Sequence, residues 1–178
     1  MVLPQTLDAI VNSIQVGWES RLDLLREDGF DFTMSFAILP GDYQAVRYSQ
    51  DDSIDVDCVI HELIRNSFKS IYCYDDYEVR KLADNVKFKK IHGEINVQLV
   101  EKAECYHLSV HDNGDGIPLE NYERVFQDGF STRGTTGIGL GLAKARIVSL
   151  GGKLYFQSKV GVGTTFYVEL PKDPATVL

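Results

Sequence analysis

The sequence predicts an α+β fold: a two-layer sandwich with helices on one face of a mixed, mostly antiparallel sheet. Three observations predict it. The hydrophobic period switches from helical to alternating and back along the chain. The strands of the second half come in pairs joined by short turns. Strands and helices arrive in runs rather than in strict alternation, which is the pattern of segregated layers. Hairpins make neighbouring strands antiparallel, so a doubly wound parallel sheet is disfavoured.

The elements follow in order. Leu7, Ile10, Val11, Ile14, Trp18, Leu22 and Leu25 recur at helical spacing from about Thr6, a plausible N-cap, to Glu27. Phe30, Phe32, Met34, Phe36 and Ile38 then alternate with smaller or polar residues as a half-buried strand. Pro40-Gly41-Asp42 marks a turn, and 45–48 reads as a second short strand. From about Ile54 to Ser70 the helical period returns, with Val59, Ile60, Leu63, Ile64, Ser67 and Phe68 on one face. Residues 72–93 are charged and aromatic without clear period. Strands at 94–100 and 105–111 flank the turn Glu101-Lys102-Ala103-Glu104. A short helix at about 119–126 stands between two glycine-rich stretches, 112–117 and 129–141. A helix over 140–150, closed by Gly151-Gly152, leads to strands at 153–158 and 164–170 around Val160-Gly161-Val162-Gly163.

The chain of 178 residues carries 18 Lys plus Arg against 26 Asp plus Glu, a formal charge of −8. That balance argues against a non-specific nucleic-acid binder, whose affinity comes from cations facing phosphates. It leaves room for one small phosphate-bearing ligand held by local donors. The length fits a single domain with a core of its own. No apolar run approaches the roughly 20 residues of a membrane span, and the start lacks the pattern of a signal peptide. Cys58, Cys73 and Cys105 are an odd count without CxxC spacing, so free thiols and a reducing, cytoplasmic setting are expected.

Four segments carry chemistry. Helix 58–70, CVIHELIRNSFKS, sets Glu62, Asn66, Lys69 and Ser70 on one polar face. Alone, that is an ordinary solvated face. Asp112-Asn113-Gly114-Asp115-Gly116-Ile117-Pro118 ends an apolar strand, where a fixed carboxylate can accept a hydrogen bond and glycines admit a flat ring. Alone, it is a tight turn. Gly134-Thr135-Thr136-Gly137-Ile138-Gly139-Leu140-Gly141-Leu142 opens a helix whose free N–H groups can hold phosphate. It lacks the Gly-Lys-Ser/Thr of a P-loop and the sixth-position glycine of a dinucleotide fingerprint. Gly161-Val162-Gly163-Thr164 turns into the last strand.

In this order the four segments resemble the ATP-binding catalytic domain of sensor histidine kinases, in the wider group shared with gyrase, the Hsp90 chaperones and MutL. HELIRNSFKS is similar to the N box, DNGDGI to the first glycine box, VFQDGFSTR to the F box and GIGLGLA to the second glycine box. GVGTTFYVELP resembles the ending of the histidine kinase branch, and the likeness runs from about Leu7 to Pro171. The resemblance implies a Bergerat-type ATP-binding fold over a single domain, 1–178, with ATP and Mg²⁺ as ligands.

Carried over residue by residue, Asp112 accepts the adenine amine, with Thr164 nearby through water, and Gly114 and Gly116 line the base pocket. Asn66 is the Mg²⁺ ligand and Lys69 faces phosphate oxygens. Residues 127–139 form a lid, and Gly137, Gly139 and Gly141 offer backbone N–H groups to the phosphates. Ile117 and Leu140 join the nucleotide-binding set. Arg124 and Arg133 are placed near the γ-phosphate and on the lid, and Glu62 permits either activation of water or transfer to an acceptor.

The His61-Glu62-Leu63 triplet also resembles a phosphoacceptor box. That box needs a helical hairpin, and reading it here would leave the ATP site without its N box, so His61 is expected to be structural. No acceptor hairpin is expected within the chain, since 1–28 offers one helix and no histidine. The implied partners are therefore a histidine-bearing dimerisation hairpin, in cis or in trans, and a response regulator. Nucleic acid and membrane contacts are not expected, and the isolated domain is expected to be a monomer. The expected function is transfer of the γ-phosphoryl of Mg-ATP to a histidine. An ATP-gated switch or slow ATPase is the alternative, and an anti-sigma-like serine kinase a third reading.

Overall fold

The structure, a computed structural model, describes residues 5–27, 30–44, 48–72, 92–131 and 137–172. The expected short strand falls at its edge: 45–47 lie outside the described residues, and Tyr48 forms only an isolated bridge to Gln5. Most of the aperiodic 72–93 stretch also lies outside them.

Helix α1 spans Leu7–Glu27 and buries all seven of its periodic apolar residues. The Phe30 amide closes its C-terminal end by donating to Leu25 O at 3.1 Å. That bond keeps Phe30 out of the sheet, so β1 is Phe32–Ile38 and starts two residues later than expected.

Helix α2 spans Gln50–Tyr72, beginning four residues before the first apolar signal at Ile54. The cause is a capping arrangement: the Asp52 amide donates to Ser49 Oγ at 3.1 Å, and that hydroxyl donates to Asp52 Oδ2 at 2.7 Å. Its apolar face carries Leu63, Ile64 and Phe68, each at most 1% exposed. Each such side chain stabilises the fold by about 1.5–3 kcal/mol on leaving water.

Strands β2 (Gly93–Glu101) and β3 (Cys105–Asp112) form the expected hairpin, closed by Lys102 N donating to Cys105 O at 2.8 Å. The expected helix at 119–126 is instead a 3-10 turn, Leu119–Asn121, followed by turns. Amides of Tyr122, Arg124 and Gln127 each bond three residues back. Three-residue turns suit this segment because Tyr122, Val125 and Phe126 must reach inward together; Tyr122 and Phe126 both pack on Phe156. Helix α3 (Gly139–Ser149) ends in the αL glycine Gly151, and β4 (Lys153–Lys159) pairs with β5 (Gly163–Pro171).

The sheet has five strands in the order β1-β2-β3-β5-β4, with β1 parallel to β2 and every other pair antiparallel. The α2 crossover permits that one parallel pair. The α+β two-layer expectation holds: the helices cover one face, onto which β3 turns Tyr106, Leu108, Val110 and Asp112. Three of those four are core residues, and the fourth is a carboxylate.

Candidate functional site

The inward row that ends β3 continues across the sheet. Asp112 is paired with Thr164 on β5, and Thr164 with Ser158 on β4. Asp112 is 1% exposed. Its Oδ1 accepts the Gly114 amide at 2.9 Å and the Thr164 amide at 3.3 Å. Its Oδ2 is buried and has no hydrogen-bond partner among the described residues. Burial raises the carboxyl above the usual range, opposed by the Gly114 amide, the Ser67 hydroxyl and the Thr164 amide. Ser67 on α2 acts from outside bonding geometry, since its own buried hydroxyl also lacks a partner among the described residues.

Two glycines let the backbone close around this carboxylate. Gly163 has φ +135°, and a Cβ there would fall 1.9 Å from Asp112 O. Gly116, at φ +73°, would set a Cβ 2.3 Å from Lys159 O. Either substitution would open the pocket floor.

Above this floor lies a cavity of about 630 Å³. Asp112 and Thr164 lie at one end among Ile117, Val125 and Phe166, with Ser70 of α2 beside them against Gly114; the other end is polar, with Glu62, Asn66 and Lys69 from α2. Gly137, Ile138, Gly139 and Leu140 close the side at the start of α3, where unpaired helix N–H groups favour anions. An apolar slot with an orphaned acceptor at one end and cations plus helix amides at the other matches a base joined to phosphates.

Within the polar end, Asn66 Nδ2 donates to Glu62 O and Glu62 Oε1, both at 2.9 Å. Two acceptors fix the amide orientation, so Asn66 Oδ1 is the oxygen left without a partner among the described residues. A carbonyl oxygen beside a phosphate site suits Mg²⁺, which takes few protein ligands and completes its shell with phosphate and water. No group of three His, Cys, Asp or Glu side chains that could hold a metal ion stands among the described residues. Glu62 Oε2 accepts Arg65 Nη1 at 3.0 Å, and the carboxylate lies against Gly139, where an added Cβ would be 2.0 Å from Oε1.

Of the sequence-predicted residues, Glu62, Asn66, Lys69, Asp112, Gly116, Ile117, Gly137, Gly139, Leu140 and Thr164 line the cavity. Gly114 lies just outside it, backed against Ser70, and Gly141 faces Asp128. Arg124 does not line it; its guanidinium stacks on Phe130, 4.5 Å from the ring centroid, and Phe130 lines the cavity. Arg133 and the middle of the expected lid lie outside the described residues, but Gly129 N donates to Gly137 O at 3.2 Å and ties the segment's ends together. Sequence reasoning missed Ser67 and Ser158. Both had a signal, a hydroxyl at an inward position of an otherwise apolar face.

His61 is a structural residue at the α1–α2 contact. Trp18 Nε1 donates to its Nδ1 at 3.1 Å, and its Nε2 lies 3.8 Å from Asp57.

Comparison with known proteins agrees with this geometry. A family model described as "Histidine kinase-, DNA gyrase B-, and HSP90-like ATPase" matches residues 51–174. The chain is 38% identical over 82 residues to sensor histidine kinase DcuS of Escherichia coli (strain K12), covering 46% of this chain and 15% of that protein. It is 30% identical over 119 residues to sensor protein CitS of Halalkalibacterium halodurans, covering 66% of this chain and 20% of that protein. The match therefore spans a fifth or less of the length of these relatives. Among solved structures, the catalytic domain of histidine kinase ThkA in a nucleotide-free form has the same fold, with TM-score 0.70 over 97% of both chains at 22% identity. No helix among the described residues is long and apolar enough to cross a membrane. With the family model matching residues 51–174, most of the chain, this chain belongs to the histidine kinase-, DNA gyrase B- and HSP90-like ATPase family.

Proposed function

We propose that this chain is the catalytic domain of a cytoplasmic protein-histidine kinase, which binds Mg-ATP and hands its γ-phosphoryl to a histidine on a separate helical hairpin. Asp112 Oδ2 takes the adenine amine, and Ile117, Val125 and Phe166 hold the ring. The amides at the start of α3 and Lys69 receive the phosphates. Asn66 Oδ1 would hold Mg²⁺, which would supply positive charge to offset the phosphates. The neutral imidazole of the acceptor attacks in line: an N–P bond forms, the bond from Pγ to the β-phosphate oxygen breaks, and ADP leaves with the electron pair. The imidazole proton passes to solvent. The phosphohistidine would then supply a response regulator.

The observation that carries transfer over hydrolysis is the state of Glu62. One of its oxygens accepts Asn66 and the other Arg65. A carboxylate held this way is a poor base for water and a good anchor for Asn66, and a neutral imidazole needs no base. Cys58 and Cys105 are free thiols, in keeping with a reducing compartment.

The test is incubation with Mg²⁺ and γ-labelled ATP, alone and with the histidine-bearing hairpin of a sensor kinase such as the relatives above. ATP binding without label or rapid phosphate release is expected from the chain alone, and acid-labile, base-stable label on the hairpin when it is added. Rapid phosphate release from the chain alone, abolished by Glu62→Ala, would instead identify an ATPase switch.

A further inference from the structure

Ser158 lies outside the cavity, yet its hydroxyl meets Ile117 and Thr164, which line it, and Gly163, which packs against Asp112. Its Oγ accepts the Ile117 amide at 2.8 Å, reaches Gly163 O at 3.1 Å and lies 2.9 Å from Thr164 Oγ1. The Tyr122 hydroxyl donates to its backbone carbonyl, so the residue is anchored from both sides.

These contacts constrain where the hydroxyl protons go. Ile117 N–H can only donate and Gly163 C=O can only accept, while each hydroxyl has one proton. One assignment makes all three contacts: Ser158 donates to Gly163 O, and Thr164 donates to Ser158. Thr164 Oγ1 has then spent its proton away from the ligand and offers only lone pairs. It stands beside Asp112 Oδ2, the orphaned acceptor one strand over.

We infer that Ser158 is a positioning residue that sets the polarity of the base pocket, making its floor an acceptor pair that admits 6-aminopurines and rejects 6-oxopurines. An exocyclic amine brings two donor hydrogens to such a floor, whereas a 6-oxo group brings a further acceptor.

This inference rests on the nucleotide reading above, and the experiment separates the two. Binding of ATP and ITP is measured by calorimetry on the parent chain, Ser158→Ala and Ser158→Thr, with thermal melts to show that each is folded. The parent should prefer ATP by about 100-fold or more, as a site built around matched hydrogen bonds does. In Ser158→Ala the Thr164 hydroxyl is free to turn its proton to the ligand, and the ATP-to-ITP ratio should contract by roughly tenfold. Ser158→Thr, which restores the relay, should return it.

Should Ser158→Ala fail to fold, Thr164→Val removes the relayed oxygen and should contract the ratio alike. Where both fold, adding Ser158→Ala to Thr164→Val should change the ratio no further. A parent-like ratio in Ser158→Ala, or an additional loss in the double variant, overturns the assignment of Ser158 while ATP binding stands. Failure of the parent chain to bind ATP overturns the nucleotide reading itself.

Discussion

Trp18 and His61 form a hydrogen bond across the α1–α2 contact, with the indole N–H donating to His61 Nδ1 at 3.1 Å. Nδ1 can accept that bond only while the ring is neutral. Burial lowers the His61 pKa below its ordinary 6.5; Asp57 opposes the shift, and Arg65 and Arg21 add to it.

Stability should therefore depend on pH through this bond. The unfolded chain binds the His61 proton more tightly than the folded one, so the contribution is complete above about pH 6.5 and is lost as pH falls below it. His107, also lowered by burial, acts in the same direction. The measurement is the urea midpoint from pH 7.5 to 5, followed by fluorescence of Trp18, the single tryptophan. His61→Asn keeps an acceptor for the indole without a titration and should show a shallower decline. An unchanged slope would remove His61 from the account.

Asp112→Asn should separate folding from binding. The amide oxygen can still accept the Gly114 and Thr164 amides, while an NH₂ replaces the orphaned Oδ2 and meets the adenine amine donor to donor. Loss of a hydrogen bond to a charged acceptor predicts a fall in ATP affinity of at least roughly 10- to 150-fold. Because a buried charge is removed, the melting temperature should hold or rise. A variant that binds ATP like the parent by calorimetry would refute the adenine assignment.

Ser67→Ala removes a fully buried hydroxyl that has no partner among the described residues. Stability should change by less than about 1 kcal/mol. The same hydroxyl holds the Asp112 carboxyl down against burial, so its loss should raise that pKa further. ATP binding requires the carboxylate, and its acid limb should then lie at higher pH in the variant than in the parent. Affinity measured between pH 4.5 and 7.5 decides this; coincident profiles would show that Ser67 does not act on Asp112.

Glu62→Ala removes one of the two bonds that orient the Asn66 amide and leaves only the one to the residue 62 backbone carbonyl. If Glu62 positions Asn66, binding of Mg-ATP should weaken by about tenfold, while adenosine, which carries no phosphate, should bind as before. Equal losses for both ligands would mean that the substitution disturbs the whole cavity.

Much of the fold was legible because its signals are local. The seven buried residues of α1 were readable at helical spacing, and the β2–β3 and β4–β5 hairpins from alternation and turn residues. The early start of α2 was missed because reading began from the first apolar residue, whereas Ser49 and Asp52 begin it with polar atoms. The expected helix at 119–126 gave way to turns because Tyr122 and Phe126 answer to Phe156, some thirty residues on.

The sequence by itself determined the layers, which follow from periodicity and turn residues between near neighbours, and the order of the boxes, whose resemblance to a known family implied the residues around the cavity. Only the tertiary structure decided which polar atoms are left for a ligand. Asp112 presents Oδ2 because an amide two residues away and another 52 residues away occupy Oδ1. Asn66 presents its oxygen because Glu62 holds its nitrogen. Arg124 stacks on Phe130 and does not line the cavity, although the family resemblance implied a place near the γ-phosphate. A side chain's type sets what it can bond, but which of its atoms remains unpaired depends on distant partners brought alongside by the sheet.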